Sequence, residues 1–375
     1  MKPNVVFAVL QTGALANGGL QSITEVMRRL TSHRAVVLTN LDNEMSQTWR
    51  DHGIEVHVVS EQASTGLRRD PFGTVRTYRR YHRALTGILA TSGARIVHAN
   101  DPLAFQLSLN AVKRSRHARI ALNLRDTLDP DRRPPRLKYR MLFAAADHVF
   151  YLSNDMAERW RQVAPNAMRS CSVTYSIVDP TRFAASPAAD RDPPVVLVSG
   201  IFRPKKGQLD FIRNVVPMLA AKNIETWFAG DFNPEANAYA AACARAAEPH
   251  ADRVRFLGFQ SDLPGLMRQA SVVAIPSRHE GLMRSMIEAM SCGRPVVSFD
   301  VCSAFEILEE RSGGAGVVVE QGDHSGMAEA LVRFATDAEA RRAAGAAGSK
   351  AATELFDAKT VVERYERVYR QLGEA

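Results

Sequence analysis

Apolar residues in this chain arrive in short unbroken runs. The first, Val5-Val6-Phe7-Ala8-Val9-Leu10, is closed by Gln11-Thr12-Gly13 and by Gly18-Gly19. It then gives way to Ile23, Val26, Met27 and Leu30, spaced as one face of a helix. A run without polar alternation is the pattern of a parallel strand covered on both faces. Ala35–Leu38, Val56–Val59, Ile96–Ala99, Ile120–Leu124 and Val149–Leu152 repeat it, and helical stretches, including the basic segment Val75–Ala90, separate most of them. Strand and helix in alternation predict a parallel α/β sheet.

The segment Ser186–Pro194, rich in Pro, Ala and charge, reads as a linker. Directly after it Val195-Val196-Leu197-Val198-Ser199-Gly200 restarts the strand-into-glycine pattern. Further strands are predicted at Thr226–Ala229, Val254–Leu257, Val272–Ile275, Pro295–Phe299 and Gly316–Val319. Helices are predicted at Gln208–Ala221, Ser285–Ser291 and Ala358–Leu372. The expected organisation is therefore two Rossmann-like domains, 1–185 and 186–357, with parallel sheets facing across a cleft. A last helical segment, 358–375, is expected to pack back on the first domain.

Composition narrows the class. With 46% hydrophobic and 23% charged residues in 375, the chain is long enough to bury two cores. Cys171, Cys243, Cys292 and Cys302 lie far apart without a C-x-x-C pair, so buried inert thiols are expected, with no disulfide framework or zinc site. Met1-Lys2 and the first apolar run imitate a signal peptide, but a buried strand entering a glycine loop explains them better. No run approaches the ~18 apolar residues that cross a bilayer, so a cytoplasmic protein is expected. The net charge of +8 is uneven: residues 1–180 hold 25 Lys+Arg against 15 Asp+Glu, and the remainder 23 against 25. Either the first half meets something anionic or its arginines are simply solvated.

The most informative stretch runs from Pro276 through Glu280-Gly281-Leu282-Met283 to Glu288-Ala289-Met290, then Gly293-Arg294-Pro295-Val296. It leads from a strand through a loop into a helix, whose N-terminus suits a diphosphate. Glu280 in the loop and Glu288 two turns into the helix are spaced to accept hydrogen bonds from different hydroxyls of a polyol. The same spacing also fits an ordinary helix start with a solvated face. The segment resembles the E-G-x6-E-A-M-x-x-G-x-P-V signature of the family 4 retaining glycosyltransferases, which have the GT-B fold. Weaker landmarks in the same order include Gly18-Gly19, Val97-His98-Ala99-Asn100-Asp101, Lys206-Gly207, Ala229-Gly230, Leu257-Gly258-Phe259 and Glu306-Ile307-Leu308.

The resemblance implies sugar transfer, with retention and without a metal, from a nucleoside-diphosphate sugar as co-substrate and with no other cofactor. Glu280 would contact the donor sugar and Glu288 the ribose. Backbone N–H groups at Gly281, Leu282 and Met283 would approach the phosphates, with Gly200, Gly18 and Gly19 as further donor-binding glycines. Lys206 would neutralise the departing diphosphate. The chain departs from the family in several places. Ile201 stands where an arginine is usual, and Arg203 is the candidate replacement. Met283 stands at a second glycine, and Cys302-Ser303 replaces Gly-Gly before Glu306. On the acceptor side the candidates are His98, Arg125 and Asp126. Arg125 occupies the usual histidine position, either as an anion site or in a structural pair with Asp126, and His98 also reads as a core histidine.

The basic stretches Arg68-Arg69, Arg76–Arg83 and Arg132–Arg140 suggest a glycan or lipid-linked cell-envelope acceptor reached from an anionic membrane surface on the inner face of the cytoplasmic membrane. Two other readings stay open. A sugar-nucleotide epimerase of the same architecture shares the donor site. A basic nucleic-acid-binding protein would use the first half but leaves Glu280 and Glu288 unexplained, so no nucleic-acid partner is expected.

Overall fold

The computed structural model describes residues 2–11, 18–59, 71–125, 127, 136–165, 170–187 and 191–374. The chain forms two compact units, Met1–Ile177 with Ala358–Ala375, and Val178–Asp357.

The first unit is built on seven strands: β1 (Asn4–Val9), β2 (Arg34–Thr39), β3 (Glu55–Val58), β4 (Ile96–Ala99), β5 (Arg119–Leu124), β6 (His148–Tyr151) and β7 (Cys171–Val173). Their order across the sheet is β3-β2-β1-β4-β5-β6-β7, and every neighbouring pair is parallel. The second unit repeats the plan with β8 (Val195–Ser199), β9 (Glu225–Ala229), β10 (Val254–Gly258), β11 (Val272–Ile275), β12 (Val296–Phe299) and β13 (Gly316–Val319). Their order is β10-β9-β8-β11-β12-β13, again all parallel. Helices cover both faces of such a sheet, which is why Val5 to Val9 are all enclosed and no polar residue alternates with them. In each sheet the order reverses beside the first strand, between β1 and β4 and between β8 and β11. The carboxyl ends flanking such a reversal are where ligands of open α/β sheets bind.

Three details differ from the sequence-based expectation. Gln208–Ala221 is not one helix but two, Gln208–Asn214 and Val216–Ala220. Pro217 has no N–H for the Arg213 carbonyl, and its ring crowds that oxygen. The short β7 shows no apolar run, and its Cys171 is exposed while the other three cysteines are buried. The stretch following Val178 belongs to the second unit, so the change of unit precedes the Ser186–Pro194 segment. Buried Arg294 fixes it there by donating from Nη2 to the carbonyls of Ser186 (2.6 Å) and Pro187 (2.7 Å).

The helix Ala358–Glu374 completes the core of the first unit. Val361, Val362, Tyr365, Val368 and Tyr369 pack with Phe7, Val37, Trp49 and Phe150. Its Glu366 carboxylate accepts the backbone N–H groups of Thr31 and Ser32, each at 2.6 Å, and the Thr31 hydroxyl at 2.7 Å. Burial alone would raise the Glu366 pKa, but these donors outweigh it and the carboxyl titrates below its ordinary range. A lowered pKa stabilises the fold fully above the ordinary glutamate value and is lost as pH falls through the lowered one. Glu366→Ala is therefore expected to cost about 1.5–3 kcal/mol at pH 7. The difference from wild type should shrink as thermal unfolding is followed down through the carboxylate range.

Candidate functional site

In the second unit the chain leaves β8 at Gly200, runs past Ile201, buried Phe202 and Arg203, and makes one 3-10 turn, Pro204–Lys206. It then enters the helix Gln208–Asn214 through Gly207. Gly207 has φ +72°, and a methyl group there would run into the Pro276 carbonyl oxygen at the end of β11. The two backbones touch because this residue lacks a Cβ. Alongside, the Arg278 N–H donates to the Lys205 carbonyl at 2.8 Å. The turn after β8 is thus fastened to the loop after β11.

That fastening brings Lys206 to Glu280. Nζ and Oε1 are 2.6 Å apart, with both side chains largely enclosed, and the lysine stem lies over Gly200. The two opposite charges are in direct contact, each the other's counter-ion inside the site. Gly281, Leu282 and Met283 follow, and Met283 caps the helix Arg284–Ser291 without a side-chain hydrogen bond. Among the described residues the N–H groups of Gly281 and Leu282 meet no hydrogen-bond acceptor. Four residues into the helix sits Glu288, buried, whose Oε1 accepts from Arg284 Nε (3.1 Å) and Nη2 (2.8 Å). Burial raises the Glu288 pKa, while Arg284 and then Arg182 counter it.

Behind the loop lies Ser303, buried, with φ +73°. A side chain in this left-handed region costs on the order of 1–3 kcal/mol. Its hydroxyl donates to the Gly281 carbonyl at 2.8 Å. Ser303 then leads through Phe305 into a π-helical turn, Glu306–Arg311, whose Glu306 is buried.

Of the residues singled out in the sequence, the second unit gathers Gly200, Lys206, Glu280, Gly281, Leu282, Met283 and Glu288 around two strand ends. Arg203 stands at the start of the turn, exposed, and makes no ion pair with any described residue. The other candidates belong to the first unit. Gly18 and Gly19 open the helix Gly18–Met27. His98 is fully enclosed, 2.9 Å through Nδ1 from the Tyr369 hydroxyl and packed against Phe7 and Phe150. Burial, Arg125 and His148 lower its pKa to about 3, so it is a neutral group within the core. Arg125 follows β5, half-buried. Asp126 lies outside the described residues. Arg284 and Ser303 had no place among the candidates, although Arg284 lies four residues before Glu288 and Ser303 stands at a glycine position.

Two family models cover most of the chain: "Glycosyltransferase Family 4" matches residues 43–182 and "Glycosyl transferases group 1" matches 193–337. The chain belongs to the family 4 glycosyltransferases. It is 30% identical over 118 residues to N-acetyl-alpha-D-glucosaminyl L-malate synthase of Bacillus anthracis, covering 32% of this chain and 30% of that protein. It is 30% identical over 124 residues to the lipopolysaccharide core biosynthesis mannosyltransferase LpsB of Rhizobium meliloti, covering 32% and 35%. The aligned part of the chain thus spans about a third of each relative. Over its whole length this glycosyltransferase-family chain shares the fold of Anabaena Alr3699/HepE, solved in complex with UDP and glucose. The TM-score is 0.79 at 21% identity, covering 97% of this chain and 98% of that one.

The Gly207–Pro276 contact can be tested by substitution. Gly207→Ala combines a clash with backbone strain and is expected to destabilise the second unit by roughly 2–4 kcal/mol. Gly313 also has positive φ but open space where a methyl group would sit, so Gly313→Ala should cost only about 1 kcal/mol. Chemical denaturation of both variants measures the difference.

Proposed function

We propose that the chain transfers a sugar from a nucleoside-diphosphate sugar to an acceptor, with retention of anomeric configuration. The observation that carries the reading is the Lys206–Glu280 pair at the carboxyl ends of β8 and β11. On this reading the donor's diphosphate takes over the Lys206 ammonium, and Glu280 is freed for the hydroxyls of the transferred sugar. As the glycosidic bond to phosphate breaks, negative charge grows on the leaving diphosphate. Lys206 and the N–H groups preceding the helix Arg284–Ser291 are placed to stabilise charge of that sign. Glu288, with one oxygen held by Arg284, offers the other to the ribose hydroxyls. Retention follows if the departing phosphate helps remove the acceptor's proton on the same face, where catalysis rests on positioning and leaving-group electrostatics. The UDP-bound Anabaena neighbour supports a nucleoside diphosphate as the ligand class.

For the acceptor we propose a cell-envelope glycan or lipid-linked sugar presented at an anionic membrane. No helix among the described residues is long and apolar enough to cross a bilayer. The helix Arg136–Ala145 instead exposes Leu137 (71%) and Met141 (66%) on one face, flanked by exposed Arg136, Lys138 and Arg140. The helix Pro71–Ser92 adds exposed Arg76, Arg79, Arg80 and Arg83. Apolar tips among arginines suit an interfacial position. The lipopolysaccharide-core relative points to the same acceptor class.

Two experiments test these readings. In a thermal-shift screen of UDP, GDP and ADP, one should raise the wild-type melting temperature. Lys206→Ala should weaken that ligand roughly 10- to 100-fold while the protein stays folded. Silence towards all three would remove the donor site, and release of isomerised nucleotide sugar without transfer would favour an epimerase. In the second, wild type should sediment with anionic vesicles and be released by salt. Leu137→Ser with Met141→Ser should abolish binding without altering nucleotide affinity.

A further inference from the structure

We infer that Ser303 is a positioning residue for the donor loop: its hydroxyl fixes the Gly281–Leu282 peptide plane so that the Leu282 N–H is held outward for the donor's distal phosphate, an inference that rests on the donor reading above.

Ser303 combines two features that conflict. Left-handed backbone is the province of glycine, and the other side chains with positive φ among the described residues are Arg116 and Asn223, which lie in turns. Ser303 adopts it while completely enclosed, at 0% exposure. A buried, strained residue persists only when its surroundings over-determine it, and such residues gather where geometry matters for function. What Ser303 gains towards this loop is a hydrogen bond, Oγ–H to the Gly281 carbonyl at 2.8 Å, across 22 residues of sequence. The Gly281–Leu282 peptide is trans, so the Leu282 N–H points opposite to the Gly281 carbonyl within one rigid plane. A hydroxyl that holds the carbonyl therefore also aims the N–H. Gly281 is the residue of this loop least able to hold its own orientation, because it has no side chain to restrict its dihedrals. A glycine at 303 would be unstrained but would leave that plane free to rotate.

Two substitutions separate positioning from folding. Ser303→Gly removes the hydroxyl and relieves the strain, and its melting temperature should equal or exceed that of wild type. Ser303→Ala removes the hydroxyl and keeps the strain, and its melting temperature should fall. Calorimetry with the nucleoside diphosphate that wild type binds, and with the matching monophosphate, gives a di-over-mono affinity ratio. That ratio should fall roughly five- to tenfold in both variants, the size of one lost hydrogen bond, with monophosphate affinity unchanged. If the ratio tracks melting temperature, or stays at the wild-type value, or if both ligands weaken equally, the inference is overturned and the donor reading stands. If wild type binds no nucleoside diphosphate, both fall together.

Discussion

Two backbones in van der Waals contact, Gly207 against the Pro276 carbonyl, set the geometry of everything proposed for the second unit. Parallel strands end at one edge of the sheet, and where the strand order reverses the loops diverge and leave room between them. Room alone does not place a cation beside a carboxylate. The missing Cβ at Gly207 lets the turn after β8 lie on the loop after β11, and the Arg278 to Lys205 hydrogen bond keeps the two in register. Lys206 and Glu280, 74 positions apart in the chain, then meet as a consequence of backbone packing and do not depend on their own attraction to find each other.

Charge accounting explains why the arrangement is open to a ligand. Each enclosed carboxylate lies against a cation, Glu280 against Lys206 and Glu288 against Arg284. Burying an ion pair costs more desolvation than its own attraction returns unless further hydrogen bonds complete it. On the proposed reading a diphosphate-linked sugar brings anionic oxygens for the ammonium and the N–H groups, and hydroxyls for the carboxylates. The burial that raises the Glu288 pKa also strengthens any hydrogen bond made there, since no water competes for it.

The sheets were legible because a strand covered on both faces must be apolar throughout, and such runs mark themselves: Ile96–Ala99, Val272–Ile275 and Gly316–Val319 coincide with β4, β11 and β13. β7 was not, because a three-residue edge strand holding Cys171 and Ser172 has no such constraint. Glu280, Glu288 and Lys206 could be read from a signature because they lie in loops and turns attached to those runs. His98 could not be decided from sequence, since its partner Tyr369 comes from a helix 271 residues further on. Distance in sequence likewise hides Ser303 behind Gly281, where only the pairing of a positive φ with a donor hydroxyl reveals its part.

The two units carry one strand order, yet the chemistry at equivalent strand ends differs. After β1, the Gln11 N–H donates to Asn40 Oδ1 at 2.7 Å and the Asn40 amide returns a bond to the Gln11 carbonyl at 2.9 Å, with both residues buried. At Gln11 the end of that strand is held by neutral groups that satisfy one another. After β8, the corresponding turn is held by backbone contact, and it carries Lys206 to Glu280 as an ion pair. A doubly wound sheet supplies a place for ligands without saying which ligand. What distinguishes a site from a structural loop here is whether the polar groups at the strand ends are consumed by one another or kept available. At the ends of β8 and β11 those groups are two cation–carboxylate pairs, Lys206 with Glu280 and Arg284 with Glu288.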